Sequence, residues 1–376
     1  MGIDRVPCRT YSIWFSMSAT PMIVDSADNG DLEFSLDELV NSPEGKGDAS
    51  SSSSSAEGNG RRESPSGTSS TPSVATATPS SIVGDLNRRR KSVSGKGKNS
   101  SRYLLGNLLQ TLSRGHDSTK ESISAGGTTS VVGALVEHIE DKGIVTLALS
   151  CLLKMAELEE GASILAREDY MAHLQRAVEQ FPSNPKIASL VVDVVKQTLL
   201  NENAPITKDH IQYFVRTFGV LLVLLDFFFA NEAIVAGVMT SAEMVLHAGL
   251  DIKLLIVQGP DNNLYRFAEL IIRIEAGTAA FEASLEILKT LLQSGPGTES
   301  RAVELFQHVQ ANASLKNQVI VRSGLKAMSA FCMIDEAREA IIISDGMSVA
   351  VSLLAQHPTD ALRLVRALAC TEKGVQ

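Results

Sequence analysis

A stretch that returns late in the chain sets the tightest limit on its fold. Glu159–Pro182 overlays Asp335–Pro358 without a gap. Glu160 falls on Glu336, Asp169 on Asp345, Met171 on Met347, Gln180 on Gln356 and Pro182 on Pro358. Elsewhere in the overlay apolar meets apolar: Leu165 on Ile341, Ala177 on Leu353, Val178 on Leu354. The offset is 176 residues (345 less 169), four units of 44. A period of about 40–47 residues marks helical units that each leave an apolar face for a neighbouring unit to cover.

Helical spacing fills the rest of that period. Leu104, Leu105, Leu108, Leu109 and Leu112 fall on one stripe ended by Gly115. Thr129–Ile139, Ile144–Leu158, Gly161–Glu168 and Met171–Phe181 then read as consecutive helices. Pro182-Ser-Asn-Pro185 interrupts the pattern, and Pro185 suits the first position of the helix that follows to about Leu200. The middle, 206–297, is less regular, with helices expected at His210–Ala230, Ala233–His247, Leu250–Val257, Leu264–Glu275 and Ala279–Gln293. The apolar run Thr217–Leu225 is interrupted by Asp226 and falls short of the roughly 18 apolar residues a membrane span needs, so it reads as a buried core helix.

Ahead of the helices the composition changes. Residues 41–101 are rich in Ser, Gly, Thr and Pro and have too little apolar surface to offset the entropy of ordering. The expected division is therefore a disordered low-complexity tail at 1–101 and one helical body at 102–376. The tail holds an acidic-apolar segment, Asp25–Val40, with a capping box at Ser35–Glu38. It also holds a basic block of six cations, Arg88, Arg89, Arg90, Lys91, Lys96 and Lys98. Such a block is a candidate localisation or anionic-surface signal, its alternative being a solvated charge run. Ser92 after Arg89-Arg90-Lys91 and Ser64 after Arg61-Arg62-Glu63 fit the pattern of basophilic kinases, and a phosphate on Ser92 would cancel part of the block's charge.

The short, medium and long helices resemble armadillo repeats. The resemblance rests on Ala134-Leu-Val-Glu-His-Ile139, Ala148-Leu-Ser-Cys-Leu-Leu153, Ile164-Leu-Ala-Arg-Glu-Asp169 and the late Ala340-Ile-Ile-Ile-Ser-Asp-Gly346. It implies an all-α, right-handed α-solenoid of armadillo-like three-helix repeats, about five or six of them. No polar capping repeat precedes Gln376, so the solenoid is expected to be the front part of a longer one. Members of the family that hold extended peptides line their inner groove with the third helix, and importin alpha uses a ladder of Asn with Trp nearby. The matching positions here are Lys154, Asp193, Ala330 and Arg366, and the one Trp is Trp14 in the tail. The resemblance thus implies a groove without that ladder. Lys154 and Arg366 suggest an acidic or extended peptide as its occupant, the chain's own Asp25–Glu38 being one candidate.

Chemistry-bearing motifs are missing from the sequence. There is no Gly-x-Gly-x-x-Gly, P-loop, Gly-x-Ser-x-Gly or zinc pattern, and Cys8, Cys151, Cys332 and Cys370 lie far apart. No metal, no cofactor and no enzymatic activity are expected. The net charge is −9, of which −8 falls on residues 101–376 (23 Lys/Arg against 31 Asp/Glu), and so acidic a body suits nucleic acid poorly. The expected function is a non-catalytic protein-binding scaffold or adaptor using a concave surface. The alternative is a phosphorylation-regulated nuclear or trafficking adaptor. The expected compartment is the cytoplasm, with the nucleus second.

Overall fold

The computed structural model describes residues 78–90, 97–201, 208–259, 263–293, 299–314 and 318–370. All lie in one compact unit, Ser42–Gln376; a first unit, Met1–Asn41, falls outside the described residues, as does the acidic-apolar segment. Among the described residues the fold is all-α, eighteen helices and no strand.

Order begins earlier than Arg102. Helix α1 (Pro79–Arg90) falls inside the stretch expected to be disordered tail, and helix α2 (Gly97–Leu112), expected from Leu104 on, begins inside it. The reason is burial: Ile82, Val83 and Leu86 of α1 are each less than a tenth exposed and join the same core as Leu105 and Leu108. Three side chains removed from water contribute about 1.5–3 kcal/mol each, enough to hold a short polar helix in place.

Two trios follow: α3 (His116–Ser124), α4 (Gly127–Glu137) and α5 (Lys142–Ala156), then α6 (Glu159–Leu165), α7 (Glu168–Gln180) and α8 (Pro185–Asn201). A long helix, α9 (Lys208–Phe228), leads to α10 (Glu232–His247), α11 (Leu250–Gln258), α12 (Asn263–Ile271) and α13 (Ala279–Leu292). The last group is α14 (Glu299–Ser314), α15 (Gln318–Phe331), α16 (Asp335–Ile343), α17 (Gly346–Ser352, continued as a 3-10 turn to Ala355) and α18 (Pro358–Ala369).

Local chemistry sets where the longer helices start. Asp141, Asn231 and Thr278 cap α5, α10 and α13, their side-chain oxygens accepting from the backbone N–H three residues on at 3.1–3.2 Å. Pro185 and Pro358 open α8 and α18, where the missing N–H costs nothing. Before α17 the turn needs a left-handed residue, supplied by Asp345 at φ 66°, and then Gly346, where a Cβ would lie 2.7 Å from the Ile341 carbonyl oxygen.

Packing follows two series. Helices α2, α5, α8, α10, α13, α15 and α18 each pack on the next in that order; α1, α4, α7, α9, α12, α14 and α16 do the same alongside. Hydrogen bonds tie neighbours in the first series across about one period. Cys151 Sγ donates to Leu105 O at 3.6 Å, and Asn201 Nδ2 to Ala156 O at 2.9 Å. Ser323 Oγ of α15 donates to Ile274 O at 2.7 Å, in the turn between α12 and α13.

Helix α9 contains a 19-residue stretch, His210–Phe228, long and apolar enough by composition to cross a membrane, with mean hydropathy 1.6. It lies inside the fold: Tyr213, Phe218 and Val220–Leu225 are buried, and Asp226 accepts a hydrogen bond from Arg273 Nη1 at 2.9 Å. The Asp that interrupts the run is held by an arginine in the turn that follows α12.

Candidate partner-binding surface

Among the described residues, the first series leaves one face of its helices uncovered. Exposed along it are Ser189 and Asp193 of α8, Ala236, Thr240 and Glu243 of α10, and Ala283 and Glu286 of α13. Arg322 of α15 and Leu362, Arg363 and Arg366 of α18 continue the face. Its charge changes sign along the way. On α10 and α13 stand Glu243, Glu286 paired with Lys289, and Glu282 paired with Lys326 of α15; on α15 and α18 stand Arg322, paired with Asp360, and Arg363 and Arg366. Where the two meet, Lys326 Nζ donates to Glu282 Oε1 at 3.0 Å and sits 5.5 Å from the centre of the Phe281 ring.

The residues singled out in the sequence distribute unevenly over this face. Asp193 is exposed; partial burial raises its pKa against the opposing pull of Lys196. Arg366 is exposed, with no ion pair among the described residues. Lys154 is half-buried and donates to Glu157 Oε1 at 2.8 Å, within its own helix end. Lys154 and Arg366 also lie on α5 and α18, with α8, α10, α13 and α15 between them in the packing series. The structure therefore does not bring them together into one cationic site. Ala330, matched to the same position, is 4% exposed and belongs to the core; on α15 the open face is carried by Arg322, Lys326 and Ser329.

In the basic block, Arg88, Arg89 and Arg90 form the last turn of α1, where cations are favoured by the helix dipole, and Lys98 lies in the first turn of α2. Arg88 Nη1 stands 3.9 Å from Asp85 Oδ1, an exposed contact of little energetic weight. Lys91, Lys96, Ser92 and Ser64 lie outside the described residues. Among the described residues no group of three or more His, Cys, Asp or Glu is arranged to hold a metal ion.

Three clefts open beside this face. The first, 460 Å³, lies between α10 and α13 and is lined by Ala236, Thr240 and Glu243 on one wall and Ala283, Glu286 and Ile287 on the other. The second, 630 Å³, lies at the N-terminal ends of α10, α13 and α15 and is mostly apolar: Phe229, Ala230, Val235, Ile274, Val319 and Ile320. The third, 420 Å³, continues from it, sharing Glu275 and Val319, and reaches Gln318, Arg322, His357 and Thr359. Phe229 is 39% and Val319 45% exposed. None of these cleft residues was singled out in the sequence. The available signal was the run Phe227-Phe228-Phe229 at the end of the most apolar helix, longer than that helix needs for its core; only Phe228 of the three is buried.

No protein-family model matches the chain, and no curated protein sequence matches it. Among solved structures, the crystal structure of an engineered protein is similar at a TM-score of 0.38 and 13% identity, covering 76% of this chain and 96% of that one.

Proposed function

We propose that the two packing series form an armadillo-like right-handed solenoid and that the protein is a non-catalytic scaffold, holding a protein partner on the open face of α5, α8, α10, α13, α15 and α18. The observation that carries the reading is the succession itself. Each of α5, α8, α10, α13 and α15 packs on a neighbour to either side and α18 packs on α15, while one face keeps small, polar and charged side chains and opens into the 460 Å³ cleft. A surface assembled in this way is wide and held in place by the core beneath it, which suits recognition of an extended or helical segment.

The test is a bulky substitution on that face. Thr240→Trp fills the cleft between α10 and α13 without entering the core, since Thr240 is exposed. Partner proteins crosslinked to the wild-type chain and identified by mass spectrometry should link to α8, α10 and α13, and those links should disappear in the variant while its circular dichroism is unchanged. Partner links that survive Thr240→Trp and map elsewhere overturn the reading.

A further inference from the structure

The joined clefts at the N-terminal ends of α10, α13, α15 and α18 carry more chemical information than the rest of the surface. Their apolar floor of Val235, Ile274 and Ile320, with Phe229 and Val319 at the rim, offers 630 Å³ of space. That volume is ample for a bulky aliphatic or aromatic side chain together with the chain on either side of it.

Charge then sets what stands beside that side chain. The two arginines in the walls are already neutralised. Arg273 donates to Asp226 at 2.9 Å and to Glu269 at 3.5 Å, and Arg322 Nε stands 3.2 Å from Asp360 Oδ2. Glu232 and Glu275 line the second cleft as well, both exposed, and neither has an ion pair among the described residues. Glu275 stands in the wall the two clefts share. Glu232 lies in the first turn of α10, where the positive helix end offsets its charge, so Glu275 is the carboxylate left to meet a cation beside the apolar hollow.

We infer that this site takes a protein segment in which a bulky apolar residue is followed closely by a lysine or arginine, the apolar side chain filling the hollow between Phe229 and Val319 and the cation meeting Glu275. The inference rests on the scaffold reading and names a place and a partner chemistry within it. It differs from the acidic occupant that Lys154 and Arg366 suggested, because those two groups are far apart in the packing order while Glu232 and Glu275 share one cleft.

The experiment is selection of a library of random short peptides on the full-length chain and on three variants, Glu275→Lys, Val319→Asp and Thr240→Trp. All three positions are exposed, and unchanged thermal melts identify variants that still fold. The expected result is enrichment of apolar-then-basic pairs on the wild type. On Glu275→Lys those peptides should bind about fivefold weaker or worse, and apolar-then-acidic pairs should replace them. Val319→Asp should lose both. Enriched peptides that ignore Glu275→Lys and Val319→Asp but are lost with Thr240→Trp would overturn this site and leave the scaffold reading standing. No enrichment on any form would overturn both.

Discussion

Arg102 of α2 donates from Nη2 to Asp141 Oδ1 at 3.1 Å, and the same carboxylate oxygen accepts from the Ile144 N–H at 3.1 Å. One side chain thus caps α5 and fastens it to the preceding helix of its series. Both partners are largely buried, at 24% and 19% side-chain exposure. Burial works against the charged form of Asp141, but the Ile144 N–H, the Arg102 guanidinium and the Gly143 N–H outweigh it and hold the carboxyl below its usual range. A depressed folded-state pKa contributes stability above the unfolded value, about 3.9, and that contribution is lost as pH falls through the folded value. Asp141→Ala should therefore cost about 1–2 kcal/mol at neutral pH, and the gap from wild type should narrow at pH 3. Urea unfolding followed by circular dichroism at both pH values decides it; an equal gap at both would mean that the charge is immaterial.

Gly237 of α10 faces Val192 of α8 with no room for a side chain. A Cβ there would lie 2.5 Å from Val192 Cγ1, and Val192 is itself 4% exposed, with little room to yield. Alanine has the better helix propensity by about 1 kcal/mol, but overpacking costs about 1–3 kcal/mol. Gly237→Ala should lower the unfolding midpoint, and Gly237→Ala with Val192→Ala should recover most of it. If the single variant is stabilised instead, the helices have slack here.

Particular helices show what a sequence yields and what it withholds. Helix α6 begins at Glu159 and α16 at Asp335, the 176-residue offset read from the repeat, and α9–α13 fall within about two residues of most expected ends because period and breakers are local properties. Helix α1 was hidden by its neighbours. Ile82, Val83 and Leu86 sit among Ser, Gly and Arg, and only the groove beside α2 and α4 makes three apolar residues sufficient. Ala330 failed for a different reason. One residue of register turns a helix by about 100°, which moves a side chain from open face to core, and an alanine fits either. The cleft was illegible because Phe229 and Val319 meet only after α10 to α15 have packed.

Because α1 is part of the core, its removal has a measurable cost. It covers α2, α3 and α4, Ser80 Oγ donates to Glu121 Oε1 at 2.7 Å, and Ser130 Oγ donates to Asn87 Oδ1 at 2.9 Å. A chain starting at Gly97 should melt below one starting at Thr78, and Ile82→Asp in the full chain should move the midpoint in the same direction. An unchanged midpoint in both would return α1 to the status of a loose tail.

The cysteines test the core from inside. Burial raises the Cys151 thiol pKa well above its ordinary value. At Cys332 burial pushes it up to about 12, against a small opposing pull from Arg338. Only the thiolate reacts with an alkylating reagent, so both should be inert at neutral pH, whereas exposed Cys370 should react. Brief treatment with iodoacetamide followed by mass spectrometry should place the label on Cys370, with Cys151 and Cys332 labelled only in urea. Cys332 lies between α15 and α16, so labelling it as fast as Cys370 would show that the last helices open readily. The clefts that depend on α15 and α18 would then lack a fixed wall.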